Sequence, residues 1–303
     1  MNVIETHQLS HRYARTEALH ALDLAIPAGS VCAVLGPNGA GKTTTIKLLM
    51  NLLRPTSGSA RVLGVDSREL GPREFAQIGY VSENQELPLW MTVRQLIDYT
   101  AALYPTWDKA LEADLLAQFA LPVDRKLKQL SRGMLMKANL LIALAFRPKL
   151  LVLDEPFSGL DPVVRDEFVR GLLEASSAGD WTVLVSSHDI EEVERLADRV
   201  VLLDHGRLQL HEPIETLQGR FRRIEVQLHA DSAPVTITLP TWLDFEQAGR
   251  RVRFVDSAFN AVETERLCRE RFPESAVTAQ PMSLREIFMA QSRSSRVTKG
   301  AAA

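Results

Sequence analysis

The chain has 303 residues, 46% of them hydrophobic and 24% charged, with a net charge of -3. That supplies apolar material for a core and length for about two domains at roughly 150 residues each. The slightly acidic balance excludes a global basic surface of the kind that wraps nucleic acid.

In chain order, the start MNVIETHQLSHRY is broken by polar and charged residues at short intervals and does not read as an export signal. From SVCAVLG the chain passes from an apolar, β-branched run into a Gly-rich turn and then into KTTTIKLLMNLL, whose apolar residues recur at helical spacing. This predicts strand, loop and helix. Residues 84–148 contain helical patterns such as MTVRQLIDYTAALY and ALEADLLAQFAL and predict a helical subdomain set into an α/β core, with Thr92 as a helix cap. The longest apolar piece, NLLIALAF, falls far short of the roughly 20 residues a membrane span needs. KLLVLDEP then ends a buried strand in acid and proline, and WTVLVSSHDIEEVERLA repeats the strand, turn and helix grammar. Several such units imply a mostly parallel sheet covered by helices on both faces.

After VVLLDHGRLQLHEP the pattern changes. RRIEVQLHA, PVTITLP and RRVRFVD alternate with period two, as half-buried strands do, and AVETERLCRERF and SLREIFMAQ read as helices. The expected organisation is a first domain over residues 1–219, a small α+β domain over 220–291, and a disordered tail over 292–303, which lacks a periodic apolar face. Cys32 and Cys268 belong to no CxxC pair and suggest neither a zinc site nor a disulfide framework, so a reducing compartment is expected.

The chemistry concentrates in GPNGAGKTT, residues 36–44, a full GxxxxGK[ST] match between a predicted strand and helix. Gly36, Gly39 and Gly41 let the loop turn the N–H groups of residues such as Asn38 and Ala40 inward after Pro37, which has none, and the following helix adds positive potential at its N-terminus, where Thr44 lies. Lys42 is placed to hold the β and γ phosphates of a nucleotide, and the Thr43 hydroxyl to ligate Mg²⁺. In LLVLDEP, Asp154 at the strand end is placed to hold Mg²⁺, and Glu155 to polarise a water attacking the γ-phosphate. By itself that run is also compatible with a strand end carrying two solvated acids.

With these residues in place, the chain over about residues 1–215 resembles the ATPase subunit of an ABC transporter. The resemblance implies a RecA-like P-loop core of α/β class, an antiparallel β subdomain at the N-terminus and the inserted helical subdomain. It also implies roles for further residues. SGLD resembles the loop whose Asp161 reaches across a dimer. SSHD resembles the switch region, with His188 reaching the γ-phosphate, although Ser187 reads equally as a plain cap with His188 solvated. Tyr13 in LSHRYARTEAL resembles the aromatic that stacks on adenine, and LSRGM resembles the signature LSGGQ, with Ser131 and Gly133 retained for the partner's ATP. Implied with them are ATP and Mg²⁺, a dimer with itself or a related subunit, separate transmembrane permease subunits and a place on the cytoplasmic face of the membrane. The relaxed signature and appended domain look like the export branch. The rival reading is a soluble ABC-type ATPase of DNA repair or the ribosome; the chain has one cassette and none of the usual added modules, and no nucleic-acid partner is expected.

Three positions depart from the family pattern, one of them Met134, which stands where the signature has its terminal Gln. Glu83 stands where a metal-touching Gln is usual, with Gln85 two residues later; Glu83 is the preferred Mg²⁺ contact of the two. Arg132 replaces a signature Gly, either pointing outward or adding positive potential near ATP. Leu87, Leu89 and Trp90, just before Thr92, face either a permease or the core.

Overall fold

A computed structural model describes residues 1–83, 85–177, 181–228 and 239–300, with backbone alone at 174–177, 292 and 294–300. The chain forms two compact units, Met1–His211 and Glu212–Ala303. The first opens with β1 (Asn2–Tyr13), β2 (Thr16–Pro27), β3 (Val31–Leu35), α1 (Lys42–Leu49), β4 (Ser57–Val62) and β5 (Val65–Asp66). It continues through α2 (Pro72–Phe75), β6 (Ile78–Ser82), α3 (Val93–Ala101), α4 (Lys109–Gln118), α5 (Arg132–Leu144) and β7 (Leu150–Asp154). Then follow α6 (Pro162–Ser177), β8 (Thr182–Ser187), α7 (Ile190–Val193), β9 (Arg199–Asp204) and β10 (Arg207–Pro213), which runs across the boundary.

Two sheets result. The order β2-β1-β4-β5 is antiparallel and forms the N-terminal subdomain. The other, β10-β9-β3-β8-β7-β6, is parallel from β9 through β6. Every residue of β7 and β8 is buried, as expected of strands covered on both faces. Ile46, Leu48 and Leu49 of α1 pack on Cys32, Val34, Val152, Leu184 and Val201. The register aligns Ser82 with Asp154 and Asp154 with Ser186, while Leu35 pairs with Ser187. The strands therefore end at one edge, where parallel α/β sheets place their ligands.

The helical insertion is α3, α4 and α5, each started by a side-chain cap. The Thr92 hydroxyl accepts from the Gln95 N–H at 3.1 Å while the Gln95 side chain accepts from the Thr92 N–H at 2.9 Å. Asp108 caps α4 and Ser131 caps α5. A Cβ on Gly79 of β6 would lie 2.7 Å from the Ala143 carbonyl oxygen, so α5 lies directly on β6.

The second unit contains α8 (Ile214–Arg220), β11 (Arg222–Gln227), β12 (Trp242–Ala248), β13 (Arg251–Asp256), α9 (Ala261–Arg271), β14 (Ala276–Pro281) and α10 (Leu284–Gly300). Its antiparallel sheet runs β12-β13-β11-β14 over a core in which Trp242 stacks on Phe254 at 3.9 Å beside Cys268. The boundary lies eight residues before the expected one at 219/220, because the second unit already takes in the end of β10 and α8. PVTITLP falls mostly outside the described residues. Helix α10 continues to Gly300 through most of the segment expected to be disordered; Arg293 donates to Asp244 on β12 at 3.3 Å and ties it there. Residues 301–303 lie outside the described residues. Among the described residues no helix is long and apolar enough to cross a membrane.

Candidate active site

The loop after β3 wraps the N-terminus of α1. A Cβ on Gly36 would stand 2.3 Å from the Leu203 carbonyl oxygen of β9, so only glycine lets the loop leave β3 here. Gly39 takes φ +82° and Gly41 φ +105°, in the left-handed region that favours glycine. The turn is closed by the Ala40 N–H donating to the Pro37 carbonyl at 3.0 Å. Lys42, only 5% exposed, folds back into this loop and donates to the Gly36 carbonyl at 2.8 Å and the Pro37 carbonyl at 3.3 Å. Its ammonium also lies 3.1 Å from Glu155 Oε1. A cation buried in a curl of backbone at a helix N-terminus, which adds its own positive potential, is an anion seat.

Opposite it, Asp154 ends β7. Its Oδ1 accepts from the Thr43 hydroxyl at 3.1 Å and from the Ser186 hydroxyl at 2.7 Å. Burial pushes this carboxyl above the usual carboxylate range, the Ser186 and Thr43 hydrogen bonds pull it down, and the neighbouring Glu155 charge pushes it up again. Glu155 takes φ +51°, a strained backbone for a residue with a side chain, held by its N–H donating to Ser186 Oγ at 2.9 Å. Its second oxygen, Oε2, lies 2.8 Å from Nδ1 of His188, which follows β8. One carboxylate is thus fixed between a lysine on the phosphate loop and a histidine from another strand end. Ser187 does not cap α7; Asp189 does, and Ser187 instead donates to Glu192 at 2.6 Å.

The remaining expected residues divide by position. Tyr13 is 42% exposed, meets His11 edge to face, and lines a cleft of about 710 Å³ with Asn38 through Thr44, Glu83 and Glu155. Ser131, Gly133 and Asp161 are not among the residues lining that cleft. Ser131 accepts from the Met134 N–H at 3.2 Å as the cap of α5. Gly133 is buried, and a Cβ there would stand 2.7 Å from Val164 of α6, so its smallness serves the close approach of two helices. Asp161 caps α6 through the Val163 and Val164 N–H groups. Glu83 lines the cleft and its N–H donates to the Asp154 carbonyl at 3.1 Å, but its carboxylate is turned to Arg132 at 2.5 Å. Gln85 lines a different groove, of about 350 Å³, with Leu52, Tyr80, Tyr104 and Phe146. Leu89 and Trp90 are 49% and 67% exposed.

Sequence reasoning did not single out Ser186, whose hydroxyl joins both acids; its place at the end of an apolar strand in SSHD was the available signal. Among the described residues no three His, Cys, Asp or Glu side chains converge as a metal site. A hydroxyl and a carboxylate already sharing a hydrogen bond beside an anion seat do fit Mg²⁺, which commonly binds one or two carboxylates and completes its shell with substrate phosphates and water.

A parallel sheet with a glycine-walled anion seat and paired acids at its carboxyl edge, carrying an inserted helical subdomain, defines a P-loop nucleotide-binding protein. A family model described as ABC transporter matches residues 19–158. The chain is 31% identical over 242 residues to an uncharacterized ABC transporter ATP-binding protein of Synechocystis, covering 75% of this chain and 67% of that one. It is 38% identical over 213 residues to the daunorubicin/doxorubicin resistance ATP-binding protein DrrA of Streptomyces peucetius, covering 68% of this chain and 63% of DrrA. A solved structure described as an ATP binding subunit of an ABC transporter superposes with TM-score 0.64 at 27% identity, over 72% of this chain and 92% of that one. The chain belongs to the family of ABC transporter ATP-binding proteins.

Proposed function

We propose that the chain hydrolyses ATP as one half of a dimer and thereby drives separate transmembrane permease subunits, in the direction of export. The observation that carries this reading is Glu155, held by Lys42 on one oxygen and His188 on the other at the mouth of the phosphate loop. When ATP enters, its phosphates take over the Lys42 ammonium from the Gly36 and Pro37 carbonyls, because a phosphate carries charge that a carbonyl lacks. Glu155, freed from Lys42 and oriented by His188, accepts a proton from the water that attacks the γ-phosphate. Bound Mg²⁺, held by Thr43, Asp154 and Glu83, would neutralise charge on the β and γ phosphates. Tyr13 offers a ring face to the adenine.

Ser131 and the N-terminus of α5 supply donors for the ATP of a second chain, which accounts for their absence from this chain's own cleft. Glu83 at the cleft and Gln85 at the groove sit on one loop, so nucleotide state and groove shape are mechanically joined. Exposed Leu52 and the stacked pair Tyr104 and Phe146 make that groove apolar, which suits a short permease segment. The drug-resistance name of one relative supports the outward direction. Glu155→Gln is expected to lower kcat by about 10²–10⁴-fold while leaving ATP binding within a few-fold, read by phosphate release and by nucleotide titration. An unchanged kcat would sink the role given to Glu155.

A further inference from the structure

Two of the three residues that depart from the family pattern, Glu83 and Arg132, meet. They lie 49 positions apart, yet Arg132 Nη2 is 2.5 Å from Glu83 Oε1. Arg132 is the first residue of α5, and its guanidinium lies over Gly159, where a Cβ would stand 2.8 Å from Nη1. One side chain on the signature helix therefore reaches two other segments, the loop after β6 and the loop that runs from Glu155 to Asp161.

Each partner relieves a cost of the other. An arginine at a helix N-terminus opposes the helix dipole, and a carboxylate beside it offsets that. A third acid near Asp154 and Glu155 would repel them, and the guanidinium neutralises it. We propose that the Arg132–Glu83 pair is a nucleotide-sensitive latch. Within one chain it ties α5 to the nucleotide cleft; when two chains close on ATP, Arg132 exchanges Glu83 for a phosphate oxygen of the partner's nucleotide, freeing the Glu83 carboxylate. This rests on the closure reading given under Proposed function.

The strength of the pair suits a latch and not a lock. The side chains are 51% and 29% exposed, and half-exposed pairs are worth little, about fivefold in an equilibrium at most and less in salt. A phosphate can take two parallel N–H bonds from the planar guanidinium, as a carboxylate can, but carries more charge, so the exchange runs toward the nucleotide. The shift produced equals the difference in the contacts made in the two states.

The test uses the full chain carrying Glu155→Gln, with Glu83→Gln, Arg132→Gly and both together. Nucleotide-free hydrogen exchange across residues 129–135 is expected to quicken up to about fivefold on Glu83→Gln alone at low salt and to be unaffected by Glu83→Gln once Arg132→Gly is present. In sedimentation with ATP and no added metal, Glu83→Gln is expected to tighten the dimer up to about fivefold, and less than about twofold in the Arg132→Gly background. Equal effects of Glu83→Gln in both backgrounds, or exchange that does not respond, overturn the latch while the closure reading stands. Failure of ATP to dimerise the parent overturns the closure reading and the release step with it.

Discussion

At the scale of single residues, the site stores an electrostatic cost. Asp154 is buried and its carboxyl is pushed up, so the folded chain holds that proton more tightly than the unfolded chain does. Its contribution to stability is therefore lost as pH rises through the carboxyl range. Asp154→Asn keeps an oxygen that accepts from Ser186 and Thr43 and removes the charge. We expect it to raise the melting midpoint of the nucleotide-free chain at pH 8 by about 2–4 °C, as about 1 kcal/mol does at this size, to change little in acid, and to abolish hydrolysis. Calorimetry at both pH values checks this; a lower midpoint at pH 8 would mean that the ion is worth more to the fold than its burial costs. Burial also pushes the Cys32 thiol up to about 12 and the Cys268 thiol up to about 11, leaving little thiolate near neutrality. Mass spectrometry after iodoacetamide at pH 8 should find neither alkylated in the native chain and both alkylated in denaturant.

At the scale of elements, caps and close approaches hold the helical subdomain in register with the core. Thr92→Ala removes a reciprocal cap and is expected to cost about 1 kcal/mol in urea unfolding. Gly133→Ala drives a methyl into Val164 and is expected to cost about 1–3 kcal/mol, most of it regained in combination with Val164→Ala; no regain would show that α5 and α6 do not press on each other there. The elements that sequence made legible are those whose constraint is local. The phosphate loop, the Asp154 strand, the Thr92 cap and the helices expected in MTVRQLIDYTAALY, ALEADLLAQFAL, AVETERLCRERF and SLREIFMAQ, which form at 93–101, 109–118, 261–271 and from 284 onward, all announce themselves within a dozen residues. Strands β12 and β14 were not expected, and β14 shows why: it is almost wholly exposed and has no alternation to read. The meeting of Arg132 with Glu83 and the bridge from Ser186 to Asp154 depend on strand order, which no local pattern carries. Gly133 was read as an opening for phosphate, but its packing on Val164 is a tertiary fact.

At the scale of the molecule, each half of the proposed ATP site is built on a different edge of the first unit: the phosphate loop and the acids on the sheet, Ser131 on the inserted helices. One chain then binds nucleotide, and two are needed to enclose it, so ligand binding and association are linked equilibria. That is the central claim, and sedimentation of the full chain carrying Glu155→Gln tests it most directly. The account predicts a monomer without nucleotide and with ADP, a dimer with ATP, and a monomer that still binds ATP when Ser131→Arg is added. A dimer that forms equally well without ATP, or that tolerates Ser131→Arg, would contradict it.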